Sequence, residues 1–382
     1  MTGIAARVAA NEGAMLAFLE RLVNTESPTE DRDLAERAAE LLEGKAQSIG
    51  MEVARDKQDR FADNRVCRLN PAGAPRVLMI GHFDTVYPRG TVATRPFRIE
   101  HGRACGCGVL DMKGGLTAGL YALQAIQEAG RAPRFATTFI LNSDEEIGSP
   151  CSRRVILEEA ARHDIALVLE PGVDGPGVVM GRKGVGIWHF EVEGAEAHAG
   201  AEPEKGANAV VEMAHKILNV TGLARPELGT TVNAGVIEGG TKPYVVPGRC
   251  RLEVDIRVPS AAEQARVEAG LRDLVARSAV PRTRTNLRGS FHRPPMESSE
   301  AAWTHLSHLQ QIATAAGYPL QAERSGGASD GNLTAAAGLP TIDGLGPHGG
   351  GAHSPHEFME VRTLALKTRI LAEFLAGLRA DG

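Results

Sequence analysis

The sequence predicts an α/β fold: a larger domain built on a mostly parallel sheet with helices on both faces, interrupted by a smaller ferredoxin-like α+β lid. Three observations carry this expectation. Short continuous apolar runs alternate with helical stretches early in the chain, the rhythm then changes to β-α-β-β-α-β, and the ending returns to helix, loop and strand. A length of 382 residues at 43% hydrophobic content also exceeds what one compact core usually holds.

In chain order, RVLMIGH reads as a strand, MKGGLTAGLYALQAIQEAG as a helix, FATTFILN as a strand, RRVILEEAARH as a helix and IALVLEP as a strand. Continuous apolar runs between helices imply parallel strands buried on both faces. The second segment follows with strand GIWHFEVEG, a helix around GANAVVEMAHKILN, strands near TTVNAGVIEG and RCRLEVDIRV, a helix through EQARVEAGLRDLVAR and a strand near TRTNL. That order is the split βαβ pattern of a small ferredoxin-like domain. After HRPPM come the helix AAWTHLSHLQQIATAAG, a glycine-rich passage, the strand region LPTIDGLGP and a C-terminal helix from about Val361. The expected boundaries are residues 1–181 and 292–382 for the two parts of the larger domain and 182–291 for the insertion.

A formal charge of -5 and a pI near 6.2, without long basic runs, point away from nucleic acid and from anionic membrane surfaces. A small diffusible substrate is expected instead. The N-terminal stretch lacks a basic segment followed by an apolar core, and no uncharged stretch is long enough to span a bilayer, so a cytoplasmic location is expected. Cys67, Cys105, Cys107, Cys151 and Cys250 are odd in number and scattered, which argues for free thiols. Cys105 and Cys107 read as small-residue packing rather than as ligands.

Polar clusters stand at the ends of apolar runs: His82, Phe83 and Asp84 after RVLMIG, Asp111 after GCGVL, Asp144, Glu145 and Glu146 after FILNS, and Glu170 after IALVL. Strand ends of a parallel sheet lie along one edge, where ligand sites of open α/β sheets form. Several carboxylates converging with a histidine would repel one another unless cations neutralised them, and imidazole with carboxylate oxygens is an accepted zinc set. A bridging carboxylate between two ions about 3.5–4 Å apart gives a hydrolytic two-metal centre. Asp84, two positions after His82, is expected to orient the imidazole through its other ring nitrogen. Asp111 opens a helix, so an N-cap reading competes with a metal bridge there, although the two are compatible at the sheet edge. In the Asp144-Glu145-Glu146 run one acid is free to bind metal while its neighbour, beside a metal-bound water, takes and passes a proton. Asp144 itself also suits a solvated acidic turn. In GPHGGGAHSPHE, spacing alone does not choose among His348, His353 and His356.

The ordered set G-H-F-D-T-V-Y-P, G-x-G-x-x-D-M-K-G-G, N-S-D-E-E-I-G-S, L-E-P, H-A-G-A-E-P-E-K-G-A-N-A and A-H-S-P-H-E-F resembles the dinuclear zinc metallopeptidase family. That family contains glutamate carboxypeptidases of the carboxypeptidase G type, acetylornithine deacetylases, succinyl-diaminopimelate desuccinylases and aminoacylases. The resemblance runs over nearly the whole chain. It implies two Zn2+ ions, with Co2+ or Mn2+ as other candidates for an oxygen-rich site. Asp111 would bridge, Glu146 and His353 would complete one ion, and His82 and Glu170 the other. Glu145 would be the general base. Glu170, where deacetylase relatives often carry Asp, resembles the glutamate carboxypeptidase branch. The insertion would pair into a homodimer, with His198 reaching the partner's site to polarise the scissile carbonyl. Arg257 and Arg293 resemble substrate-binding positions suited to a carboxylate, with Arg293 also readable as a surface arginine before a Pro-Pro turn. Gly326 and Gly327 resemble a loop that closes over substrate. Tyr244 stands where the glutamate carboxypeptidase type has Asn, which changes size and hydrogen bonding at a substrate contact.

The expected activity is release of a C-terminal, glutamate-like amino acid from a peptide or N-acyl substrate. An N-acyl amino acid deacylase is the alternative, and a non-catalytic metal-stabilised binding protein a remote one. The intact acid beside a full ligand set speaks against the last.

Overall fold

The computed structural model describes residues 3–130, 133–172 and 175–379. The chain divides into two compact units, one of residues 1–181, 297–325 and 329–382, the other of residues 182–296 and 326–328.

In the first unit a six-stranded sheet runs in the order Glu52–Asp56, Asn64–Leu69, Ala136–Asn142, Arg76–His82, Ile165–Val168, Thr341–Ile342. The last four are mutually parallel, and the first two add antiparallel at one edge. The fold class is therefore as expected. The reason the central runs are continuously apolar is visible in their packing. Val77 and Met79 face the large core with Leu19, Leu116, Leu371 and Phe374, whereas Leu78 and Ile80 face a second core with Ile140, Ile156, Val168 and Leu333. Side chains of a strand alternate faces, so a strand covered on both sides needs apolar residues at every position.

Helices Ile4–Val23, Gly114–Glu128 and Val361–Gly377 pack on the first face, and Arg153–Ala160 covers the other. The helix expected from Met112 begins only at Gly114, after an irregular segment Val109–Lys113. At Gly115 a Cβ would overlap Leu169 O. Glycine there lets the helix start press against the end of strand Ile165–Val168.

The second unit holds a four-stranded antiparallel sheet, Thr231–Gly239, Arg249–Val258, Gly184–Glu193, Arg284–Arg293. Numbered along the chain this is the order second, third, first, fourth, the split βαβ arrangement. Helices Ala209–Thr221 and Ala261–Ala276 supply Met213, Val220, Val267 and Leu271 to its core with Phe190, Leu252, Val254 and Ile256. Among the described residues no helix is long and apolar enough to cross a membrane.

Candidate metal centre

Strand order places the site. Arg76–His82 is central, flanked by Ala136–Asn142 on one side and Ile165–Val168 on the other. His82 is the last residue of its strand. Asn142 pairs with it across the sheet and leads into the turn Glu145–Ile147. Glu170 follows the other neighbour by two residues. The acids from both flanking strands are thereby delivered to either side of one imidazole.

His82 Nε2 lies 3.2 Å from Asp111 Oδ1 and 3.5 Å from Glu170 Oε1. His353 Nε2 lies 3.2 Å from Asp111 Oδ2 and 3.0 Å from Glu146 Oε2. Two donor atoms each 2.0–2.2 Å from one tetrahedral ion stand roughly 3.3–3.6 Å apart, so the 3.5 Å spacing matches ligands sharing an ion and the other three, at 3.0–3.2 Å, are slightly tighter. Asp111 offers a separate oxygen to each imidazole. Two sets of side chains, His82 with Asp111 and Glu146, and His82 with Glu145 and Glu170, bring donor atoms close enough to hold a metal ion.

Electrostatics show the same demand for positive charge. Burial opposes protonation of His82, yet its hydrogen bonds to the carboxylates of Asp111, Asp84 and Glu170 raise its pKa well above the ordinary histidine value. Asp111 and Glu146 raise that of His353 to about 11. Burial pushes Asp111 up, but the two imidazoles outweigh it and hold the carboxyl well below its usual range. Burial pushes Glu146 up. Four carboxylates around two imidazoles leave a net negative site that divalent cations would neutralise.

Asp84 is fully buried. Its Oδ1 lies 3.3 Å from His82 Nδ1, and its backbone oxygen lies 3.0 Å from the same nitrogen. Thr29 donates to Asp84 Oδ2 at 2.8 Å, and the backbone N–H groups of Glu145 and Glu146 donate to its two oxygens at 3.3 Å. Such a carboxylate fixes both the ring and the turn that carries the acids.

Three readings of the sequence change. Asp111 caps no helix; it sits in the irregular segment ahead of the helix, whose N-cap position is Lys113. Asp144 is not a solvated acid: it is buried and accepts from Cys151 N, Ser152 N and Ser152 Oγ. Arg293 is 2% exposed and is no surface arginine. Of the three loop histidines, His353 faces the acids, while His348 and His356 have no carboxylate within 4.0 Å among the described residues. Cys105 and Cys107 are free thiols outside both metal-capable sets.

In the second unit, His198 Nδ1 accepts from Gly200 N at 3.2 Å and Ala201 N at 3.0 Å. An Nδ1 that accepts leaves the proton on Nε2, which then serves as a donor. Arg257 Nη1 donates to Gly326 O at 3.0 Å and its Nε to Asp255 at 3.2 Å, and Arg182 Nη1 donates to Gly327 O at 3.4 Å. The Tyr244 ring is exposed with Lys242 Nζ 5.8 Å from its centroid, and its carbonyl accepts from Ala199 N.

Sequence reasoning missed Thr29, Tyr87 and Glu357. Glu357 is buried and accepts from Gly108, Leu110 and Asp111 N–H groups. The signal available was an acid four residues after His353.

Comparison with known proteins gives one family and many relatives. The family described as Peptidase family M20/M25/M40 matches residues 78–377. Carboxypeptidase G2 of Pseudomonas sp. strain RS-16 is 30% identical over 373 residues, covering 95% of this chain and 90% of that protein. A succinyl-diaminopimelate desuccinylase of Xanthomonas oryzae pv. oryzae is 28% identical over 327 residues, covering 77% and 81%. Among solved structures, aminopeptidase PepT from Bacillus cereus superposes with a TM-score of 0.79 at 22% identity, covering 96% of this chain and 98% of that one.

Proposed function

The chain belongs to peptidase family M20/M25/M40, and from that premise we propose that it is a two-zinc hydrolase releasing a C-terminal, glutamate-like amino acid from a peptide or N-acyl substrate. The observation that carries the reading is Asp111, whose two carboxylate oxygens each stand 3.2 Å from a different histidine nitrogen. On this reading Asp111 bridges, His82 and Glu170 hold one ion, and Glu146 and His353 hold the other. Bound there, the ions would polarise the scissile carbonyl and acidify a water molecule.

The chain's own residues supply the rest. Glu145, beside His82 and Glu170, takes a proton from the attacking water and passes it to the leaving nitrogen. Asp84 keeps the His82 ring turned toward Asp111. His198 presents an Nε2–H donor for the developing oxyanion, from the partner copy of a homodimer. In favour of that dimer, the edge strand Thr231–Gly239 exposes Val236 and Ile237, and the neighbouring helix exposes Leu218 at 72%. Arg293, Arg257, Gly326 and Gly327 serve the substrate carboxylate and backbone. A cytoplasmic setting suits five cysteines that stand as free thiols.

A second reading, N-acyl amino acid deacylase, uses the same centre. It is kept because Tyr244 stands where the glutamate carboxypeptidase type has Asn, which alters the size and hydrogen bonding of a substrate contact and so the specificity for glutamate.

Hydrolysis of a panel by zinc-loaded protein, read by mass spectrometry, separates the two. Preferential glutamate release from N-acyl and peptidyl glutamates is expected; cleavage only of acetylornithine or succinyl-diaminopimelate moves the specificity to the deacylase. Glu145→Gln tests the mechanism. The variant should keep both ions and lose roughly 100-fold to 10,000-fold in kcat; loss of an ion instead would make Glu145 a ligand.

A further inference from the structure

We propose that Glu357 is a positioning residue that ties the loop carrying His353 to the segment carrying Asp111, and so sets the affinity of the ion those two share with Glu146. The inference rests on the two-zinc reading and deepens it. His353 itself is poorly held. Its side chain is 55% exposed, it lies on a loop with φ at 61°, and its Nε2 faces the acids Asp111 and Glu146.

Glu357 provides what His353 lacks. Its Oε1 accepts from Leu110 N at 2.8 Å and Asp111 N at 3.0 Å. Its Oε2 accepts from Gly108 N at 3.0 Å and lies 2.6 Å from Tyr87 Oη. Each carboxylate oxygen thus takes two donors in a site 1% exposed. Charge-assisted bonds of this kind are roughly twice as strong as neutral ones. The partners stand 246 to 270 residues away in sequence, so the anchor spans separate parts of the chain.

The His353 side of the strap is short. Glu357 N donates to Ser354 O, and Ser354 N to Gly351 O. Tyr87 Oη lies 2.9 Å from Ser354 O, to which Arg95 Nη2 also donates at 3.3 Å. Beyond Glu357, Phe358–Glu360 pairs with Arg103–Cys105. With both ends fixed, the distance from Asp111 to His353 is fixed. His82, by contrast, is placed by its strand and by Asp84, with no hydrogen bond or ion pair to Glu357 among the described residues.

A glutamine at 357 tests this with little change of volume. Its carbonyl oxygen still accepts two N–H groups, but its amide nitrogen would face a donor where an acceptor is needed. Zinc affinities of wild type, Glu357→Gln and Tyr87→Phe are measured by competition with a chromophoric chelator, with zinc per chain from elemental mass spectrometry and folding from circular dichroism. Glu357→Gln should bind one of its two ions about 10–100-fold more weakly, the other changing less. Tyr87→Phe, which keeps all three N–H donors, should shift the same ion in the same direction by less. Two unchanged affinities in folded Glu357→Gln, or equal weakening of both ions together with a lowered Tm, would overturn the inference. A wild-type protein that takes up fewer than two zinc ions would instead overturn the reading beneath it.

Discussion

The two histidines of the centre are held in opposite ways. His82 ends a central strand, is 1% exposed and has a buried aspartate at its second nitrogen. His353 sits 55% exposed on a loop and owes its place to Glu357, four residues on. A side chain whose position follows from sheet geometry is preorganised by the fold. One carried on a loop needs a dedicated anchor.

Asp111 is where the two halves meet, and its replacement breaks the comparison altogether. Asp111→Asn should lose both ions and reduce kcat roughly a thousandfold or more, as seen in zinc per chain and initial rates; retention of two ions would remove its bridging role. Asp84→Asn probes the rigid half alone. The amide keeps one acceptor oxygen and sets an NH2 donor where the second oxygen accepted, so the His82-side ion should weaken about 10–100-fold, measured by zinc competition, while the His353-side ion changes less.

A smaller effect comes from protons. Both imidazoles have raised pKa values, His353 to about 11. In the metal-free protein His353 is therefore protonated at neutral pH, and that ion-pair contribution is complete below the unfolded histidine pKa and lost only as pH rises through about 11. Zinc must displace these protons. Affinity should rise with pH, with about one proton released per histidine at pH 7, measurable by calorimetry in buffers of different ionisation enthalpy. Uptake without proton release would place the ions elsewhere.

The same contrast explains what the sequence made legible. His82, the Asp144-Glu145-Glu146 run and Glu170 were readable because strands buried on both faces leave uninterrupted apolar runs that end in polar residues; the choice of Glu146 within the run came from the family resemblance. The strand Glu52–Asp56 was not, since it is an exposed, charged edge with no such run. Asp111 looked like a cap because an aspartate ahead of two glycines mimics one; the helix begins only at Gly114, where Gly115 presses against Leu169 O. Glu357 left only its place four residues after His353 as a signal, because its backbone donors lie more than 240 residues away. Cluster members that depend on strand order were readable from the residues, His353 on its loop was singled out only by the family resemblance, and Glu357, which acts through loop-to-loop bonds, was missed.

Whether Asp111 bridges two ions is read from anomalous diffraction at the zinc edge, using crystals of zinc-loaded Glu145→Gln protein. Two peaks about 3.5–4 Å apart are expected, one beside His82 and Glu170, the other beside Glu146 and His353, with Asp111 between them. A single peak, or a pair that Asp111 does not bridge, would contradict it.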